Sequence, residues 1–244
     1  MYPVDMPTGY VHVALDRPGY GLSDPLPGRR MVDHAADVEL VLDHLSVGRF
    51  SAFGWSGGAA PALGVGARLP QRVARIVVGG ARAHVDAAVF ETGLRDELLR
   101  DWEKNRADCE TMARLYRQAP DEFFTWMEKG IGPDDLAAFR LLRPAFIRSY
   151  DAAFATSGEG WFEDDMQLVS PWGFDLAEVR CEVQLWHAEV DKMVPVTHGR
   201  YIAEHLPRSD PHFVGGEGEG HGTLLRLLPE MCAWLAEPLL SSQG

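Results

Sequence analysis

The hydrophobic positions of this chain follow two different periods in turn. Residues 10–15 (YVHVAL), 49–55 and 73–79 are short and rich in β-branched or aromatic side chains; the first is closed by Asp16-Arg17-Pro18-Gly19 and the last by Gly79-Gly80. They read as short buried strands. Between them, Met31–Leu45 places apolar residues at 31, 35, 38, 41, 42 and 45, the spacing of one helical face, and Gly57–Leu69 reads as a helix built largely of small residues. Strand alternating with helix predicts a parallel sheet covered by helices.

The alternation then stops. From Val85 to Asp165 no strand signal occurs, and Pro120-Asp121 and Gly132-Pro133-Asp134 have the form of helix starts, with acidic residues in the first turn. The sheet pattern resumes at Glu182–Trp186, followed by a helix over Val196–Leu206, a short strand at His212–Gly215 and a closing helix over Thr223–Leu235. The expected fold class is α/β: a mostly parallel sheet with helices on both faces, formed by residues 1–84 and 166–244. A helical cap, residues 85–165, is inserted into it.

Composition narrows the function classes. A formal net charge of -13 disfavours binding to nucleic-acid phosphates or anionic lipid. Cys109, Cys181 and Cys232 are sparse and unpaired in spacing, which predicts neither a disulfide framework nor a metal cluster. The first ten residues lack a basic-then-apolar leader, and no run is long enough for a membrane helix. The expectation is a cytoplasmic protein with a small-molecule substrate, no nucleic-acid or membrane partner, no metal and no cofactor; homo-oligomerisation stays open.

The chemistry concentrates at the predicted strand ends. Gly54-Trp55-Ser56-Gly57-Gly58 is a G-x-S-x-G sequence lying where a strand ends and a helix begins. There a sharp turn would expose the Ser56 hydroxyl, and the helix start would aim N–H groups such as that of Gly57 at a developing oxyanion. A serine hydroxyl needs a base, and the base an orienting carboxylate. Asp191 and His221 each follow a predicted strand, in the order Ser, Asp, His. The plainer alternatives are that Asp191 caps the helix near Val196 and that His221 is one of nine ordinary histidines. His187 and His198 are weaker candidates for the base, and Asp86 is the reserve candidate for the acid.

With these residues in place, the chain resembles the α/β-hydrolase superfamily over nearly its whole length. The matching segments are DRPGYGLSD (16–24), GWSGGAAPAL (54–63), PWGFDLAEV (171–179), WHAEVDKMVP (186–195) and GEGEGHGTLL (216–225). The resemblance implies acyl transfer through a Ser56 nucleophile, with His221 as the proton shuttle and Asp191 holding it. A helical cap follows the sixth strand in that family, and aspartate replaces the serine in its dehalogenases and most of its epoxide hydrolases. A serine here points to an esterase, lipase-like, amidase or C–C hydrolase. Trp55, Phe123 and Trp126 are the expected apolar contacts for substrate.

Two departures stand out. Ala188 occupies a position where relatives have glycine. Relatives also carry further strands and an HG-type oxyanion loop ahead of the DRPGYG segment, whereas 15 residues precede Asp16 here. The expectation is a shortened sheet in which residues 10–15 either stay unpaired or pair directly with the Ser56 strand. The second oxyanion donor would then be missing, or be supplied near Gly19–Gly21. On this ground a ligand-binding protein without turnover is kept as the alternative to a serine hydrolase.

Overall fold

A computed structural model describes residues 10–90, 92–216 and 218–240 of the chain. The first helix, α1 (His34–His44), leads into β1 (Phe50–Trp55), α2 (Ala59–Arg68) and β2 (Val73–Gly79). Five helices follow: α3 (Thr92–Arg100), α4 (Trp102–Gln118), α5 (Pro120–Glu128), α6 (Pro133–Ala153) and α7 (Glu159–Leu168). The sheet then resumes with β3 (Glu182–Ala188), α8 (Val196–His205), β4 (Ser209–Val214) and the last helix, α9 (Leu228–Leu240).

The four strands pair in the order β1-β2-β3-β4, all parallel. Side chains alternate across the sheet, so each strand feeds two apolar layers. Ile76, Val78, Val183 and Leu185 pack on one face with Leu63 and Val65 of α2 and Ile202 of α8. Val77 and Trp186 pack on the other with Leu228, Met231 and Leu235 of α9. Small residues let α2 lie close against the sheet: its Ala59, Ala60, Ala62, Gly64 and Gly66 are all buried. The result is an α/β fold with helices on both faces of a parallel sheet, as the alternating pattern required.

Residues 10–15 depart from the sequence reading. They form no strand, and Val11 and Val13 are 84% and 39% exposed. β-branched residues favour strands only where a neighbouring strand supplies hydrogen bonds and a packing surface. Among the described residues β1 pairs only with β2, so it forms one edge of the four-stranded sheet. Of the two arrangements expected for this segment, the unpaired one occurs.

The helices between β2 and β3 carry an apolar cluster of their own, in which Tyr116, Phe123, Phe124 and Phe154 are buried largely edge to face and Phe139 packs tilted against Phe124. They meet the sheet domain through polar contacts as well. Asp164 of α7 receives ion pairs from Arg17 and Arg29 and a 2.8 Å hydrogen bond from the Tyr20 hydroxyl, and Glu163 accepts the Gly28 N–H at 3.1 Å. The Arg29 side chain is almost wholly buried, so this pairing is more than a screened surface contact. The DRPGYG segment thus ties the start of the chain to the end of the helical insertion.

Leu63 is fully buried between α2 and the sheet. Leu63→Ala should lower the unfolding free energy by about 2–5 kcal/mol. The check is a urea titration in which the midpoint falls while the slope stays unchanged.

Candidate active site

Ser56 follows the last residue of β1 and opens a short 3-10 turn, Ser56–Gly58, that runs into α2. Its backbone is left-handed, with φ 52. A non-glycine residue in this region is strained and persists only where its surroundings enforce it. Gly54 is part of that enforcement: a Cβ at this position would stand 2.3 Å from the Gly58 carbonyl oxygen and 2.8 Å from the Ala62 Cβ. The strand-to-helix turn closes this tightly only because residue 54 has no side chain.

Asp191 lies in the loop after β3 with its side chain out of solvent. One oxygen accepts the backbone N–H groups of Met193 and Val194, each at 2.8 Å. The other lies 2.7 Å from His221 Nδ1. Burial by itself would push the Asp191 carboxyl up. The hydrogen bond and charge of His221, the Val194 amide and His187 outweigh burial and hold it below the usual carboxylate range. An ionised carboxylate only accepts, so Nδ1 donates to it, and the neutral ring that keeps this bond has its free lone pair on Nε2. His221 Nε2 is buried and makes no hydrogen bond.

The His221 ring lies edge-on to the Trp55 ring, with centroids 6.2 Å apart, and against Gly80. Gly80 is left-handed at φ 56, and a Cβ there would reach within 2.4 Å of His221 Cε1. Gly80 also lines a small cavity together with Ser56, Gly57, Ala60, Arg82, Leu168 and Val194, of about 70 Å³. Ser56 and Gly57 therefore share a cavity wall with the residue on which His221 rests. Leu168, the last residue of α7, brings the helical insertion to the same cavity.

The other sequence candidates fall elsewhere. His187 is fully buried, with Nε2 2.8 Å from the Val194 carbonyl and 3.5 Å from Asp191. Burial lowers its pKa and favours the neutral ring, so it buttresses the Asp191 loop. His198 accepts the Ala83 N–H at Nδ1 deep in the core. Asp86 is exposed and borders a different groove, with His84, Trp172 and Tyr201.

The three aromatic residues expected at the substrate lie apart from the small cavity at Ser56. Phe123 is fully buried among the rings of the insertion, and Trp126 sits half-exposed at the edge of that cluster, tilted against Trp161. The Trp55 ring packs into the layer formed by Trp186, Leu228 and Met231. None of the three lines the Ser56 cavity. Aromatic content marked them, but Phe123 serves the core of the insertion and Trp55 the layer between the sheet and α9, while Trp126 lies half-exposed at the edge of the aromatic cluster. The Gly19 and Tyr20 amides donate to carbonyls of their own loop, at Ser23, Asp24 and Arg17, and so are not the additional oxyanion donors considered for that segment. Sequence reading missed Arg82, Leu168 and Val194 as cavity residues, since nothing in their local pattern differs from ordinary loop and helix-end positions.

Among the described residues no group of three His, Cys, Asp or Glu side chains is placed to hold a metal ion. No helix among them is long and apolar enough to cross a membrane.

Residues 5–219 match the family described as alpha/beta hydrolase fold, and the chain belongs to that family. It is 28% identical over 201 residues to the pimeloyl-[acyl-carrier protein] methyl ester esterase of Nitrosomonas europaea, covering 80% of this chain and 72% of that protein. It is 28% identical over 226 residues to the human serine hydrolase BPHL, covering 89% of this chain and 65% of that one. In fold it is similar to a thermophilic esterase from Thermogutta terrifontis, with a TM-score of 0.61 at 18% identity over 93% of this chain and 78% of the other. The enol-lactonase from Burkholderia xenovorans gives a TM-score of 0.61 at 14% identity, covering 91% and 78%. These relationships support hydrolase activity.

The depressed Asp191 carboxyl has a sign. Its contribution to stability is complete above the ordinary aspartate range, near pH 4, and is lost as pH falls through its lower native value. Asp191→Asn should destabilise the fold at neutral pH by about 1–3 kcal/mol. Thermal melts of parent and variant should converge as pH is lowered from about 5 towards 2.5.

Proposed function

We propose that this chain is a serine hydrolase that cleaves ester-like bonds of small acyl compounds through an acyl-enzyme. The observation that carries the reading is the His221 ring: Nδ1 is held by the Asp191 carboxylate at 2.7 Å, and Nε2 is left bare and buried beside the residues that line the Ser56 cavity. In this reading Nε2 takes the Ser56 hydroxyl proton as Oγ attacks the acyl carbonyl, and the imidazolium that forms is stabilised by Asp191. The Gly57 amide, at the start of the helical turn, donates to the developing oxyanion. His221 then gives its proton to the leaving alcohol, and water, deprotonated by the same nitrogen, releases the acid.

The size of the cavity supports a small substrate. About 70 Å³ accommodates roughly five water-sized groups, so a short acyl chain fits between Ala60, Leu168 and Val194. The esterase named for the Nitrosomonas relative and for the Thermogutta structure, and the serine hydrolase named for the human relative, agree with acyl-ester chemistry.

A second reading, ligand binding without turnover, draws on one observation: His221 Nε2 makes no hydrogen bond to Ser56. Catalytic hydrogen bonds are often long until substrate arrives, so hydrolysis is favoured. Labelling with a fluorophosphonate probe and hydrolysis of p-nitrophenyl acetate separate the two. The parent should label and turn over. Ser56→Ala should abolish labelling and lower kcat by at least about a thousandfold. Turnover that survives Ser56→Ala would overturn the nucleophile assignment. Leu168→Ala should enlarge the cavity and raise kcat/KM for p-nitrophenyl butyrate relative to acetate about tenfold, measured as the ratio of the two esters.

A further inference from the structure

One buried carboxylate of the helical insertion reaches into the loop that carries His221. Asp135 is the third residue of α6, after the Gly132 cap and Pro133, and is 6% exposed. Its Oδ2 accepts the backbone N–H of His221 at 2.8 Å. Its Oδ1 accepts the N–H groups of Gly222 at 2.6 Å and Thr223 at 3.2 Å. An acidic residue at a helix start ordinarily serves that helix's own free amides. Asp135 instead gives both oxygens to three consecutive amides of a separate segment, 86 to 88 residues further along the chain.

The loop is built to receive it. Residues 215–222 read GGEGEGHG, a run whose backbone has little conformational preference of its own. A Cβ at Gly220 would stand 2.5 Å from Asp135 Oδ2, so the carboxylate reaches the amides only past a glycine. The Thr223 hydroxyl adds a local tie by accepting the Gly220 N–H at 2.7 Å.

We propose that Asp135 is a positioning residue for His221, a clamp by which the helical insertion sets the place of the base. The proposal rests on the reading of Ser56 and His221 as nucleophile and base. Asp191 holds the imidazole ring from the sheet side, and Asp135 holds the main chain of the same residue from the insertion side. Each bond to the carboxylate is charge-assisted and directional. Together they fix a glycine-rich segment that would otherwise sample many conformers, and they fix it where the His221 ring rests on Gly80, a residue of the Ser56 cavity wall. A displaced base retains substrate binding and loses proton transfer, so the effect belongs in kcat. Since α6 belongs to the insertion, a shift of that helix moves the base with it.

The test uses the full chain and three variants. Asp135→Ala removes both acceptor oxygens and with them all three hydrogen bonds. Asp135→Asn keeps one carbonyl oxygen and presents an NH2 group to the remaining donor. Gly220→Ala pushes the carboxylate away while leaving it in the sequence. The expected result is a fall of about 10- to 100-fold in kcat for p-nitrophenyl acetate, and in the rate of Ser56 labelling by a fluorophosphonate, in Asp135→Ala. KM should stay within about threefold, and Asp135→Asn should fall between parent and Asp135→Ala. Amide hydrogen exchange should quicken at residues 220–223 in all three variants, while the amides of β2 and β3 keep their protection. A folded Asp135→Ala that labels at the parental rate, or one that raises KM with kcat unchanged, overturns the proposal. Unchanged exchange at residues 220–223 overturns the clamp itself, whatever the activity. If the parent neither labels nor loses turnover in Ser56→Ala, the nucleophile assignment has failed instead. The exchange measurement then decides by itself whether Asp135 holds the loop. Should Asp135→Ala fail to fold, Asp135→Asn and Gly220→Ala give the same two readouts.

Discussion

The candidate site is organised around one buried carboxylate. Removing an aspartate from water is costly unless every lone pair that matters finds a donor. Asp191 meets that demand with two backbone amides and the ring N–H of His221. The same three bonds fold the loop after β3, fix the tautomer of His221 and place Val194. Val194 in turn lends its carbonyl to His187 and its side chain to the cavity wall. Loop shape, ring protonation and pocket shape therefore follow from a single requirement, the satisfaction of one charge.

A second constraint is close approach. The Ser56 backbone is left-handed, and the turn closes because Gly54 lets β1 meet the start of α2. On the far side of the cavity Gly80, also left-handed, lets the His221 ring settle against the end of β2. These positions lie at the carboxyl ends of parallel strands, where loops converge and where folds of this kind place their chemistry.

The helical insertion is tied to that edge by unlike contacts. Asp164 receives the two arginines of the opening loop, Leu168 closes the cavity, and Asp135 takes the amides of the His221 loop. Its aromatic side chains meanwhile pack among themselves. The insertion thus has a core that maintains its shape and a few polar feet that set its position.

Much of this was legible in the chain alone. Alternating short apolar runs and helical spacing determined the parallel α/β layers. The change of period after residue 79 marked the insertion, and Pro120 and Pro133 marked two of its helix starts. The Gly54-to-Gly58 sequence and the positions of Asp191 and His221 after strands could be read as a candidate triad, because these are local signals: turn chemistry, strand ends and residue type. What depended on contacts between distant segments was not legible. The YVHVAL run has strand composition, yet strand formation requires a partner, and its residues make no such pairing. Phe123 looks like a pocket residue by composition, yet the burial of aromatic area within the insertion drew it into the cluster there, with Trp126 half-exposed at its edge. The cavity lining by Arg82, Leu168 and Val194, and the grip of Asp135 on a loop 86 residues away, exist only once the helices are docked. Periodicity and turn chemistry act over a few residues and are written in the sequence; which buried donor meets which acceptor is settled by packing, and only the tertiary structure decides it.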